Sequence, residues 1–283
     1  MGNLSRRLGK ILLAALVVMA IVAASFVLFI GYQLNQAASE SADSVYDYEL
    51  KIATTEPIEN AVLLIPVPVY YNGTAGRNET VIDLSTFTFT NMDARNVTVA
   101  VDHVGGVPML NISADRIEPL YKNRIEPIAI MPGQNTSGLP EPTHIYSNRS
   151  SEETPTLLPM EMHMYRSGVD HEIDTKNPLG IEPLFMPYTV VGSFTGDGSL
   201  TAEGYYLSEG ATGYFVEVPL LLSYDAGDEN VLTISSSFEG RNEWWVGGWQ
   251  GNSYRERLIL EHTGSAEGTY PVRGVIITGE GVY

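Results

Sequence analysis

Between Lys10 and Glu40 the chain carries no charged residue, and from Ile11 to Tyr32 it is almost continuously apolar. As a helix rising about 1.5 Å per residue, that stretch spans roughly 33 Å, enough to cross a hydrocarbon core of about 30 Å. This constrains the rest: whatever follows must fold on one side of a membrane. Arg6, Arg7 and Lys10 precede the apolar run, and no Lys or Arg follows it until Lys51. The asymmetry predicts a cytoplasmic N-terminus and an extracellular C-terminal domain. A cleaved signal peptide is the competing reading. Such peptides have apolar cores of roughly 7–15 residues and a small-residue cleavage site. Here the core is longer, and the sites around Ala37-Ala38 or Ala42 lack an Ala-x-Ala pattern. An uncleaved signal anchor over residues 11–32 is expected, with the bilayer as its partner. Residues 1–10 form a tail too short to fold.

Arg6-Arg7-Leu8-Gly9-Lys10 also resembles the leader of pilin-type and archaellin-type precursors, which are cut before an apolar helix that packs into a filament. The departure is Lys10, a charge where the mature helix should begin apolar. The resemblance implies a filament subunit as an alternative role.

All 34 acidic residues lie beyond the apolar segment, while three of the 16 basic residues precede it. An ectodomain so acidic argues against nucleic-acid phosphates or anionic headgroups as partners. It favours solubility and self-repulsion. There is no cysteine, which removes thiol nucleophiles, thiolate metal sites and disulfide staples. A domain this long can bury a core without staples.

Six Asn-x-Ser/Thr sequons follow the apolar segment: Asn72, Asn78, Asn96, Asn111, Asn135 and Asn148. Chance predicts roughly two, so N-glycosylation is expected. Around Asn96 and Asn111, period-two alternation puts the Asn side chains opposite the apolar stripe. All six fall between residues 72 and 148, leaving the C-terminal half bare for packing or partners, other envelope proteins or glycans among them. Sequons, acidity, absent cysteine and an anchor together resemble an archaeal cell-surface protein in type.

Residues 33–44 are small and polar and read as a stalk. Strand signals dominate afterwards. Val45–Thr54 alternates Tyr46, Tyr48, Leu50 and Ile52 with charged residues. Ile58–Tyr71 is apolar on both faces, and Pro66 and Pro68 predict an edge strand. Asn72-Gly73 signals a turn, and Val81–Thr90 and Arg95–Val104 read as strands. Residues 114–188 are proline-rich, with Ile-Glu-Pro at 117–119, 125–127 and 181–183. The last hundred residues read as an antiparallel meander: Thr212–Tyr224, a hairpin through 225–230, Val231–Glu239, Trp244–Gln250, a Gly251-Asn252 turn, Tyr254–His262 and Tyr270–Thr278. The expected fold is mainly β: an antiparallel β-sandwich, jelly-roll-like or split into two small sandwiches (45–150 and 151–283), after one N-terminal transmembrane helix.

Few residues suggest chemistry. Met160, Met162 and Met164 are copper-ligand types, but strand alternation puts His163 on the opposite face, so core packing is expected. Asp170, His171, Glu172 and Asp174 offer ligand atoms, or a solvated edge. Residues 225–230 lack calcium-loop spacing. Trp244, Trp245 and Trp249 are the only tryptophans. Trp245, Trp249 and Tyr254 are the candidate ligand-binding residues, stacking on sugars or a protein partner, against a reading in which they close the core. No hydrolase, zinc or nucleotide motif is present. The expectation is a non-enzymatic envelope, adhesion or assembly component without cofactor, metal or nucleic acid; the alternatives are a carbohydrate-binding module and the filament subunit.

Overall fold

The computed structural model describes residues 2–70, 79–92, 96–123, 132–133, 135, 144–200 and 207–283. Helix α1 (Gly2–Ser41) is unbroken, so the polar stretch from residue 33 continues it rather than forming a separate linker. Its residues Ala15–Ser41 are long and apolar enough to cross a membrane. Only Ala42 separates it from β1 (Asp43–Thr54).

Ten further strands join β1 in one curled sheet. They are β2 (Ile58–Pro66), β3 (Thr88–Thr90), β4 (Thr98–Val104), β5 (Val107–Ile117) and β6 (Met160–Arg166). β7 (Thr189–Thr195), β8 (Thr212–Asp225), β9 (Val231–Trp245), β10 (Trp249–Thr263) and β11 (Ala266–Gly281) complete it. The order is β3-β6-β1-β9-β10-β11-β8-β2-β5-β4, with β7 beside the start of β8. Every pairing is antiparallel.

Register shows how one sheet becomes two layers. β10 and β11 pair only from Asn252–Leu258 against Gly281–Gly274. Beyond Leu258, β10 stays with β9 as far as Thr263. Over Ala266–Arg273, β11 stays with β8. The two strands therefore part, and each carries its neighbours into a separate layer. Alternating side chains fill the space between. Tyr46, Tyr48, Leu50, Ile52, Met160, Met162, Met164, Phe238 and Tyr254 are buried from one side. Leu63, Ile65, Leu110, Ile112, Val216, Val218, Leu220 and Ile276 are buried from the other. The methionines thus pack the core while His163 faces out to Asp47, 3.0 Å away.

Several expected details differ. Ile58–Pro66 is an interior strand between β8 and β5, not an edge. Its prolines act at the exit instead. After Pro66 the chain leaves the sheet, and Pro68–Tyr70 pairs with Leu184–Phe185 and Glu79–Thr80 in a small second sheet. Within Val81–Thr90 a 3₁₀ turn (Leu84–Thr86), capped by the Asp83 carboxylate, interrupts the strand. The strand expected from Arg95 begins at Thr98; Arg95 itself, the Asn72-Gly73 turn and the second Ile-Glu-Pro lie outside the described residues. The meander is a Greek-key-like arrangement, because β8 lies beside β11 rather than β9. Residues 226–230 are therefore a crossing between layers, tied down by Gly264 N–H to the Asn230 carbonyl (2.9 Å). Gly251 and Asn252 sit inside β10; the real turn is Val246-Gly247-Gly248, with Gly247 at φ +66°.

Candidate functional site

The β9–β10 hairpin carries all three tryptophans. Trp245 stands directly across from Trp249, so their side chains share one face. They are 39% and 68% exposed, and Val246 between them is 38% exposed. Both indoles are thus at the surface rather than closing the core. Tyr254 does not join them. It is wholly buried, its ring beside Phe238 at 6.2 Å and its hydroxyl donating to the Pro183 carbonyl (2.8 Å). Gly240 lies across from Tyr254 and leaves the space its ring fills.

The hairpin is fixed to the helix. The Trp245 N–H donates to Ser41 Oγ (2.8 Å), and Ser41 Oγ donates to the Ala37 carbonyl (2.7 Å).

A second constellation was not legible as a site. Residues 168–185 form a strap across the core, held by buried polar groups. Asn242 Oδ1 accepts from Ser44 Oγ (2.7 Å) and from the Ile173 N–H (2.9 Å). Asn242 Nδ2 donates to the Ile173 carbonyl and to Asn252 Oδ1, each at 2.9 Å. Thr175 Oγ1 also donates to Asn252 Oδ1 (2.9 Å). Glu182 is buried; its Oε1 accepts the Asp174 N–H and its Oε2 the Tyr46 hydroxyl, both at 2.9 Å. His171 bridges Asp170 (3.1 Å) and Glu182 (3.3 Å). The hydrogen bond to Asp170, helped by Glu182 and opposed by partial desolvation, raises the imidazole above its usual value. Burial holds the Tyr46, Tyr70 and Tyr254 hydroxyls protonated.

Glu256 is fully buried on β10. Its Oε2 accepts the Phe185 N–H (2.7 Å), Oε1 has no partner, and burial pushes its carboxyl up to about 8. Glu182 and Glu256 hold strap backbone in the core, while Ser44, Asp170, His171 and Asn242 line a cleft of about 540 Å³ beside the end of the helix.

Of Asp170, His171, Glu172 and Asp174, Asp170 and His171 meet at 3.1 Å, but the four do not gather as a ligand set. Asp174 caps the Asn177 N–H (2.9 Å), and Glu172 is exposed. Among the described residues no group of His, Asp or Glu gathers as a metal site. The outer face of β6, β1, β9 and β10 forms a polar trough of about 440 Å³, floored by Ser235 and Ser237 and flanked by Glu49, Lys51, Arg255 and Arg257. Of the sequon residues, Asn96, Asn135 and Asn148 are exposed and Asn111 is half-buried, its Nδ2 on Asp102 (2.6 Å). Asn72 and Asn78 lie outside the described residues. No family model, curated protein or solved structure matches the chain.

Proposed function

We propose that this chain is a single-pass, N-in membrane protein that holds a glycosylated β-sandwich outside the cell as a structural, adhesive or assembly component of the envelope. The observation that carries the reading is the junction. A helix of membrane-crossing length runs into β1 with one intervening residue and is pinned to the sandwich at Ser41. Such a joint displays the domain in a fixed pose rather than on a loose tether. Exposed Asn96, Asn135 and Asn148 are compatible with a glycan coat. We read the role as contact rather than catalysis; each buried carboxylate, Glu182 and Glu256, has one oxygen held by a backbone N–H of the strap. Two measurements test it together. The chain should resist alkaline carbonate extraction from membranes, and protease added to intact cells should remove the domain. Recovery as a free full-length species, or a domain spared on intact cells, would overturn the reading.

The same unbroken helix, exposed on every side over residues 15–33, favours a filament subunit as the second reading. A mature chain beginning at Lys10 would select it.

A further inference from the structure

We propose that the tip of the β9–β10 hairpin is a lipid-interface anchor. Trp245, Val246 and Trp249 seat in the headgroup zone of the bilayer that α1 crosses, and so fix the tilt of the sandwich above it. The inference rests on α1 spanning a membrane, as proposed above.

The placement follows from register. Asp43, one residue beyond Ala42, pairs with Glu243. β9 runs antiparallel to β1, so it heads back toward the helix and overshoots the start of β1 by Trp244 and Trp245. The Trp245 N–H on Ser41 Oγ marks that overshoot, and Ala38 and Trp244 line one cleft. Leu34, Ala37, Ala38 and Ser41, one stripe of the helix, are half-buried, while Gln33, Asn35, Gln36, Ser39 and Glu40 are exposed. The covered stripe thus reaches Leu34, two residues or about 3 Å beyond Tyr32, where the apolar run ends. The headgroup zone extends roughly 5–8 Å past the hydrocarbon on each side. An aromatic tip descending that stripe meets it.

Its chemistry fits. In a chain of net charge −18, residues 244–254 hold no charge at all. Gly247 and Gly248 leave the turn bare, so the indoles dominate the tip. An indole has an apolar body and one N–H donor, the combination enriched at membrane–water boundaries, and Tyr32 adds a third ring, 65% exposed. An acidic domain is repelled by anionic headgroups, so this contact works through aromatic insertion and not through charge.

With no tryptophan elsewhere, emission reports this hairpin alone. The full chain carrying Trp244→Phe is placed in zwitterionic nanodiscs whose acyl chains are brominated near the headgroup or near the tail end. Shallow bromines should remove about half of the emission and deep ones far less, as expected at an interface. The quenching should persist in about 1 M NaCl, where charge contacts are screened. The Trp245→Phe/Trp249→Phe chain, leaving half-buried Trp244, should be quenched much less; its circular dichroism checks the fold. A chain retained in the disc but quenched by aqueous iodide and not by bromines would overturn the anchor while leaving the membrane helix standing. Protection from iodide by soluble chito-oligosaccharide, again without bromine quenching, would overturn it in favour of a sugar site. A chain that does not enter the disc would overturn both.

Discussion

At the scale of single residues, the core is held by a few polar groups whose burial makes them sensitive reporters. Glu256 is the clearest. Its carboxyl, pushed up to about 8, keeps a proton in the folded chain that the unfolded chain releases near its ordinary value of 4.5. Between those two values the folded state binds more protons, so this group lowers stability as pH rises, with the full penalty above about 8. Glu256→Gln should therefore match the parent below about pH 4 and exceed it at about pH 9 by a few kcal/mol, each pKa unit being worth about 1.4 kcal/mol. Parallel denaturant titrations across that range check it; equal pH slopes would refute it. Asn242 acts without titrating. It makes four hydrogen bonds with Ser44, Ile173 and Asn252. Asn242→Ala leaves the strap backbone unpaired in the core and should cost about 3 kcal/mol, read from the shift in denaturation midpoint. An exposed polar substitution such as Glu172→Gln should cost little.

At the scale of elements, the corner between β10 and β11 decides whether there is one layer or two. Gly274 sits at the last paired position, facing Leu258. A Cβ there would collide with the Leu258 side chain and come within 3.0 Å of the Arg257 carbonyl and 3.2 Å of Val216. Gly274→Ala should lose about 1–3 kcal/mol by overpacking, whereas Gly248→Ala, with open space around it, should lose less than 1. Thermal unfolding of the pair checks the contrast. Elements were legible wherever a local pattern sufficed. The alternation over Val45–Thr54 and the methionines of β6 place their side chains as period two requires. The layer crossing at 226–230 was not legible, because a short polar loop looks the same whether its strands pair or part. The true turn was obscured because Gly251-Asn252 carries a stronger turn signature than Val246-Gly247-Gly248. Asn252 is used instead as a buried ladder partner. Nor does local sequence announce the strap, since Asn242 and Glu256 reach it through Ile173 and Phe185, 69 and 71 positions away, and Glu182 meets Tyr46 across 136. The tryptophan hairpin was visible as a cluster; its position beside the helix end needed the pairing of β9 with β1.

At the scale of the whole molecule, charge balance sets how the fold responds to salt. Carboxylates outnumber cations by 34 to 16, so negative charge is in large surplus. Several of the described cations are engaged in ion pairs: Lys51 with Glu49 at 2.7 Å, Arg255 with Glu239 at 3.2 Å, Arg116 with Glu59 and Glu118. Arg241 lies among Asp47, Glu239 and Glu243 at 3.6, 3.9 and 3.3 Å. These pairs are partly solvent-exposed, so each contributes about 0–1 kcal/mol and little is lost when salt screens them. Repulsion among the surplus carboxylates is also screened, as the Debye length falls from about 10 Å at 0.1 M to about 3 Å at 1 M. Screening repulsion favours the compact state, where the charges are closest. The two effects oppose, and the surplus decides the sign: the melting temperature in nanodiscs should rise by several degrees between about 0.1 and 1 M NaCl. Sucrose at matched osmolality separates screening from general exclusion of solute. A melting temperature that falls with NaCl would mean that the Arg241 and Arg116 clusters, rather than the carboxylate excess, govern the electrostatics of the sandwich.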